Sequence, residues 1–565
     1  MFRSSKNESQ LNMFSSVSGM LRGKSSEQFN DPQAWHNMVR SQVVDRIDEN
    51  IFTDLFNQKI GAPNASVKLL VGMMILKEAF GWSDSELYEN CRFNLLARCA
   101  LGLFNMHDSV PVESTYYLLR KRIHDYHKEK QVDLLEQVFK HITKSQALEF
   151  GVNGKSVRMD SKLIGSNIIF SSRYELVHNT LISFYKEMIK TKPVRLIGHD
   201  LKTLKTLAET TGNKIVYVSG REEVKKRLHE LGILCHKVLS VYEEKDNKYY
   251  ATLKRVFNEN FRLEDNGQIT MKPRDEIKSD SIQSPHDTEC AYRNKAGVLL
   301  KGYSVNVSET CDDNSLNLVT DIQVAPANKS DTEFVIPALE NTQEVLDEKP
   351  ENLHADGAFN NQPNIKYCEK KAITPYFTGM AGTKGRYDLI REKNTLTVID
   401  TETGEKMLAT KTDSGKWKIK TGEKAYRYFT EEDIDRCYLR KQIAQIPEKI
   451  RNKRNNVEAT IFLLTNYTRN NKTRYRGMLK NKLWAILRSI WINLKRIIKW
   501  MGEIGPKKPN INQLNVIKAV FDQKMAILRF FVRIFGLEPS RYRNLGITGK
   551  YRLLEKAPFR SGLND

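Results

Sequence analysis

The sequence lacks any apolar run near the roughly 20 residues that a helix needs to cross a bilayer. Its most apolar segments, Val67 to Leu76 and Leu483 to Trp500, are short or broken by Lys and Arg, so a membrane is a poor candidate for a partner. A signal core is missing too. Met1 to Asp31 is rich in Ser and Asn, the composition of a disordered arm (residues 1–34) in a cytosolic protein. The seven cysteines, at 91, 99, 235, 290, 311, 368 and 437, include no C-x-x-C pair. Reduced, structural thiols and no zinc site are the expectation. Acids are scarce beside bases: 68 Asp and Glu against 90 Lys and Arg leave a formal charge of +22. That balance points to a polyanionic partner, nucleic acid before an anionic membrane surface.

The shortage of acid is most acute from Lys449 to Trp500, where fourteen Lys and Arg surround a single carboxylate, Glu458. Such an acid is either a chance survivor on a solvated basic helix or a metal ligand whose cationic neighbours hold phosphate. Two further carboxylates at strand ends elsewhere would favour the second reading.

At 565 residues the chain exceeds a single core and divides into about three or four units. Residues 35–150 read as a helical domain, expected to bind DNA. Val67, Leu69, Leu70, Met73, Met74 and Leu76 must be buried, and Gly81-Trp82-Ser83-Asp84 stops one helix and caps the next. A third helix is capped by Ser114 or Thr115. His124 and His127 lie one turn apart among Lys and Glu, which suits a solvated face better than a metal site.

From Val152 the pattern alternates. Lys155 to Asp160 reads as a strand ending in a carboxylate, with Gly165 and Asn167 marking a turn. Residues 170–283 read as an insertion of ordinary content, with a helix face at Leu201, Leu204 and Leu207, a strand at Ile215 to Val218 and a helix at Val224 to Leu231. Leu300 to Val307 and Leu316 to Val324 form a hairpin. Ser330 or Asp331 caps a helix, and Asn352 to Phe359 holds a short strand ending in Asp356-Gly357. Strand, hairpin, helix, strand, helix is a mixed α/β sheet flanked by helices. If its first and fourth strands are neighbours, Asp160 and Asp356 stand side by side and Glu458 closes the site. Three hard oxygen donors would suit two Mg2+ ions roughly 3.5 to 4 Å apart, with Mn2+ able to substitute.

The set Val157-Arg158-Met159-Asp160-Ser161-Lys162, Ser284-Pro285-His286-Asp287, Lys301-Gly302-Tyr303, Pro326-Ala327-Asn328, Leu353-His354-Ala355-Asp356-Gly357, Arg474-Tyr475-Arg476-Gly477 and Asn493-Leu494-Lys495-Arg496 resembles bacterial insertion-sequence transposases. The likeness is to the DDE type with a ribonuclease H-like fold, in the group numbered eleven-eighty-two, and spans most of the chain. It implies catalytic, metal-holding roles for Asp160, Asp356 and Glu458. Of the related signature Tyr-x2-Arg-x3-Glu-x6-Lys, Arg454 and Glu458 are present, while Arg451 and Thr465 replace the Tyr and the Lys.

The expected architecture is therefore a helical N-terminal domain, a catalytic domain over 151–505 with insertions at about 170–283 and 376–441, and a basic helical tail over 506–565. The second insertion would be a small sheet containing Thr395 to Asp400 and Trp417 to Lys420, with Trp417 as packing. Beyond Glu458, Trp484, Leu487, Trp491, Leu494 and Ile498 read as a core stripe. Arg454, Arg474, Arg476, Lys480, Lys482, Lys495 and Arg496, with Arg488, are the candidates for DNA phosphates.

The implied activity is cleavage at the ends of the protein's own element and strand transfer into target DNA, by a homodimer or larger assembly associated with the bacterial nucleoid. Two alternatives stand beside it: an inactive DNA-binding regulator derived from a transposase, and a metal nuclease of the same fold.

Overall fold

The computed structural model describes residues 1–4, 16–57, 59–191, 195–243, 247–295, 297–379, 385–422 and 425–504. The central element of the N-terminal part is the helix Val67–Phe80, apolar on nearly every face and buried along almost its whole length. Ser66 starts it, accepting the Leu69 N–H, and Gly81 stops it at φ 71°, a left-handed conformation that costs glycine little. Ser83 then opens the helix Asp84–Phe93 with a full capping box to Glu86. Helices Trp35–Gln42, Leu95–Ala100, Glu113–Lys130 and Leu134–Phe150 also belong to this domain. Val112, rather than Ser114 or Thr115, stands at the cap of the third.

The arm expected to be disordered through residue 34 is corrected in its second half. Val17–Met20 and Lys24–Asn30 are short helices, and Val17 and Phe29 are buried against Cys99. Two apolar anchors suffice because the buried His36 and Asn37 also hold the Phe29 carbonyl. Residues 5–15 lie outside the described residues.

Strand β1 (Ser156–Gly165) is the middle of the main sheet. On one side runs the antiparallel β5 (Val298–Thr310), whose outer edge carries β4 (Ala291–Lys295) and β6 (Val319–Pro326). On the other side, parallel to β1, follow β7 (Asn352–Ala355) and then β8 (Thr374–Phe377). The first and fourth strands of the sequence reading are thus neighbours. One correction concerns β1 itself: it does not end at Asp160. β5 pairs with it from Val157 to Gly165, whereas β7 accompanies only Ser156 to Arg158, so Asp160 sits in mid-strand where one of its two partners stops. At the far end of β1 the backbones close in. A Cβ at Gly302 would lie 2.1 Å from the Ile164 carbonyl oxygen, which accounts for the glycine of Lys301-Gly302-Tyr303.

The first insertion is helical, with Arg173–Thr191, Gly198–Glu209, Gly212–Val218, Arg221–Val241 and Lys248–Asn260 around a core that includes Val177, Leu181, Cys235, Leu253 and Phe257. A hairpin of β2 (Phe261–Leu263) and β3 (Ile269–Met271) closes it. Ile215 to Val218, expected as a strand, is helical. Only Ile215 is buried, Tyr217 and Val218 are exposed, and no strand among the described residues pairs with this segment, so its backbone satisfies its polar groups locally.

The second insertion begins after β8, which belongs to the main sheet, and so starts later than residue 376. It is an antiparallel meander of β9 (Tyr387–Glu392), β10 (Thr395–Asp400), β11 (Lys406–Lys411), β12 (Trp417–Lys420) and β13 (Tyr426–Phe429), followed by the helix Glu431–Gln445. Trp417 is buried there with Leu396, Val398 and Phe429, as packing. The expected tail over 506–565, including a helix at Val516 to Phe535, lies outside the described residues. Among the described residues no helix is long and apolar enough to cross a membrane.

Candidate active site

The parallel register of β1 and β7 sets Arg158 opposite His354. Two residues further along each chain stand Asp160 and Asp356, and side chains two apart share a face of a strand. Asp356 leaves the sheet at once and caps the turn Gly357–Phe359 by accepting the Ala358 N–H at 2.8 Å. Asp160 accepts its neighbour's N–H, from Ser161, at 2.8 Å.

The helix Asn456–Thr465 packs against β1 and β5 and carries Glu458 in its first turn. Arg454, just before that helix, bridges the two elements. Its Nη2 donates to Asp160 Oδ2 and to Glu458 Oε1, each at 3.3 Å. Burial raises the Asp160 carboxyl above the usual carboxylate range; Arg454 and the Ser161 N–H oppose that, and the charge of Asp356 adds to it. His354 lies beneath, stacked on Tyr376 at 5.0 Å. Burial, with Lys453 and Arg158 nearby, pulls it down to about 4, so it is neutral at pH 7.

Asp160, Asp356, Glu458 and Arg454 line one cleft of about 590 Å³, with Lys162 and Lys295 on its walls. The three carboxylates therefore share a cavity, but Glu458 remains 63% exposed and is separated from Asp160 by a guanidinium. As the side chains stand, no three His, Cys, Asp or Glu among the described residues gather closely enough to hold an ion. The donor chemistry nevertheless fits a divalent cation: three hard oxygen donors face one cleft, and two of them already share a cation in Arg454. Of the departures from the signature, Thr465 lines the same cleft and Arg451 turns away to the Ile443 carbonyl at 3.1 Å.

The other motifs hold the surrounding elements together. Asp287 accepts from Tyr303 Oη at 2.6 Å, from the Gly477 N–H at 2.9 Å and from Ser166 Oγ, so one buried carboxylate ties three of the motifs together. Asn493 grips Val319 by both its N–H (2.7 Å) and its carbonyl (2.9 Å). Ala327 donates to the Gly302 carbonyl at 3.0 Å. One acid went unnoticed in the sequence. Glu309 is fully buried on β5 and meets Arg158, Thr460 and Arg496; nothing in its neighbours' sequence distinguishes it from any other strand acid.

The basic candidates divide in two. Arg474 reaches the Trp82 carbonyl and Glu78, Lys482 pairs with Asp133 and Glu136, and Arg496 pairs with Glu309. Their charge is engaged inside the chain. Arg476, Lys480 and Lys495 are exposed, although Arg476 also donates to the Asn167 carbonyl at 2.7 Å. Arg488 is a correction: it is buried, and it donates to the carbonyls of Leu463, Leu464 and Glu78 rather than facing solvent.

Comparison with known families bears on these elements directly. A transposase domain (DUF772) matches residues 31–122, and a transposase DDE domain matches residues 285–494. The two matches support a transposase of the insertion-sequence kind. Asp356 and Glu458 fall inside the second match. Asp160 lies outside both, ahead of the helical insertion that precedes the second match. No curated protein and no solved structure matches the chain.

Proposed function

We propose that this transposase binds the ends of its own element, cuts the DNA there and joins the freed ends to a target. The observation that carries the reading is the β1–β7 register, which sets Asp160 beside Asp356, with Glu458 facing them across Arg454. The sheet supports it as well. Its antiparallel β6, β5 and β1 are followed by parallel β7 and β8, the order that a ribonuclease H-like fold requires.

Cleavage would proceed in line. A water oxygen attacks the phosphorus at the element's end, the bond to the 3′-oxygen breaks, and that oxygen leaves as a 3′-hydroxyl. In joining, the same 3′-oxygen attacks a target phosphodiester, phosphorus keeps its 5′-oxygen, and the target's 3′-oxygen leaves as a 3′-hydroxyl. Asp160, Asp356 and Glu458 would hold two Mg2+ or Mn2+ ions, which when bound supply Lewis-acid activation and charge stabilisation at phosphorus. Lys162 and Lys295 would hold the phosphate on the cleft walls, while Arg476, Lys480 and Lys495 contact DNA backbone without reading sequence. Two ends handled together call for a homodimer or larger assembly on double-stranded DNA, in the cytoplasm at the nucleoid.

The test uses labelled DNA carrying the element's ends, taken from the sequence flanking the gene, with Mg2+ and a plasmid target. Wild-type protein should release nicked ends and joined product. Asp160→Asn and Asp356→Asn should yield neither while still binding the DNA. Full activity in either variant removes that residue from the site.

A further inference from the structure

We propose that Glu309, acting through Thr460, is a positioning residue that fixes Glu458 relative to Asp160; the inference rests on the three-carboxylate reading above. Glu309 stands on β5 directly opposite Arg158 on β1, and its two oxygens face different elements. Oε1 accepts from Arg158 Nε and Nη2, both at 2.6 Å. Oε2 accepts from Thr460 Oγ1 at 2.7 Å and from Arg496 Nη2 at 2.6 Å.

Arg158 lies two residues before Asp160 on the same strand, and Thr460 lies two residues after Glu458 on the same helix. One carboxylate therefore bonds the strand that bears one acid to the helix that bears another. A second thread reinforces it, because Arg158 Nη1 donates to the Lys453 carbonyl at 3.1 Å, next to Arg454. Arg496 adds the long helix Met478–Ile504, and also holds the Asn317 carbonyl at 3.1 Å.

Stability alone does not account for such a cluster. Ion pairs around a buried charge such as Glu309 are often matched or bettered by apolar side chains of similar volume. What the charges add is direction. Hydrogen bonds fix distance and angle, and an active site needs its groups held within about 0.5 Å. Glu309 is completely shielded from solvent, so it touches neither DNA nor a metal and acts only through what it holds.

Thr460→Val isolates the arm that matters. It keeps the pairs of Glu309 with Arg158 and Arg496 and the side-chain shape, and cuts both bonds that tie the Thr460 hydroxyl on the Glu458 helix to this cluster, the one it donates to Glu309 and the one it accepts from Arg496. The probe is Mn2+ alone, titrated into the DNA-free full chain and read as a thermal shift. The half-saturating Mn2+ concentration should rise about tenfold, within the range seen when a group behind a metal ligand is removed. On end DNA, kcat should fall by about 10- to 100-fold with KM unchanged, and Thr460→Ser, which keeps the hydroxyl, should restore both. If Thr460→Val does not fold, Thr460→Ala replaces it.

A cycle with Glu458→Gln separates the two readings. If Glu458→Gln weakens Mn2+ binding and Thr460→Val adds nothing on top of it, Thr460 works through Glu458 as proposed. A Thr460→Val protein with wild-type Mn2+ response and wild-type kcat overturns the positioning role. Should Glu458→Gln itself leave Mn2+ binding unchanged, the three-carboxylate reading fails and the positioning role falls with it.

Discussion

Charge alone places Arg488 among the DNA contacts, and its burial turns it into a test of how the chain is held together. Its guanidinium donates at 2.7 Å to the Glu78 carbonyl, near the end of the helix Val67–Phe80, and to the Leu463 and Leu464 carbonyls, near the end of the helix that carries Glu458. Helix ends leave their last carbonyls without intrahelical partners, so one side chain serves two helix termini from different parts of the chain. Burial pulls the Arg488 pKa down to about 10, still far enough above 7 for a full charge. Arg488→Met keeps most of the volume and removes every donor. Each buried carbonyl left unpaired costs about 1–3 kcal/mol. Three of them set a range of roughly 3–9 kcal/mol, and water reaching the Leu463 carbonyl, whose bond is less buried, brings the expected loss to about 3–5 kcal/mol. Guanidinium chloride unfolding followed by tryptophan fluorescence measures it, with DNA affinity recorded on the same preparations. Arg488→Lys should recover little, since a single ammonium cannot reach three acceptors in the geometry of a guanidinium. A loss below about 1 kcal/mol, together with a tenfold weaker DNA complex, would refute the reasoning and return Arg488 to the DNA-facing side.

Two further outcomes follow from charges placed elsewhere. Asp321 accepts from Gln323 at 2.7 Å and from Asn341 at 2.9 Å, and burial, with Glu136 adding, pushes its carboxyl up to about 6. The folded state thus favours the protonated form, so this group's contribution is complete below its ordinary value near 4 and is lost as pH rises through 6. Unfolding free energies of the wild type should fall by on the order of 2–3 kcal/mol more than those of Asp321→Asn between pH 4 and 7; parallel curves would contradict this. Replacing Arg476, Lys480 and Lys495 together by Ala should weaken DNA binding uniformly across sequences and reduce the slope of log K against log salt by about 2–3, near 0.9 for each phosphate contact. An unchanged slope would place the contacts on other residues.

Local signals were legible in the sequence wherever a residue type answers to a backbone requirement. Gly81 stops the central helix and Ser83 caps the next as their chemistry dictates, and β10 and β12 lie where the sequence places the strands of the second insertion. The pairing of β1 with β7 was accessible only as a condition, since a parallel contact between residues almost 200 positions apart leaves no local trace. What stayed hidden was partnership. Arg474, Lys482, Arg488 and Arg496 read as a cationic surface because a charge count cannot see Glu78, Asp133, Glu136 and Glu309 arriving from distant segments. Ile215 to Val218 misled for the converse reason: β-branched residues favour a strand only where another strand is there to pair with.

The central claim concerns the third carboxylate, which is the most exposed of the site and stands in a signature with two departures. The most direct measurement sets wild-type protein beside Glu458→Gln on labelled end DNA with Mg2+, and reads cleavage and DNA retention in the same lanes. The account predicts cut ends from the wild type alone, with both proteins retaining the DNA. Equal cutting by the two proteins would contradict it and move the third ligand elsewhere in the chain.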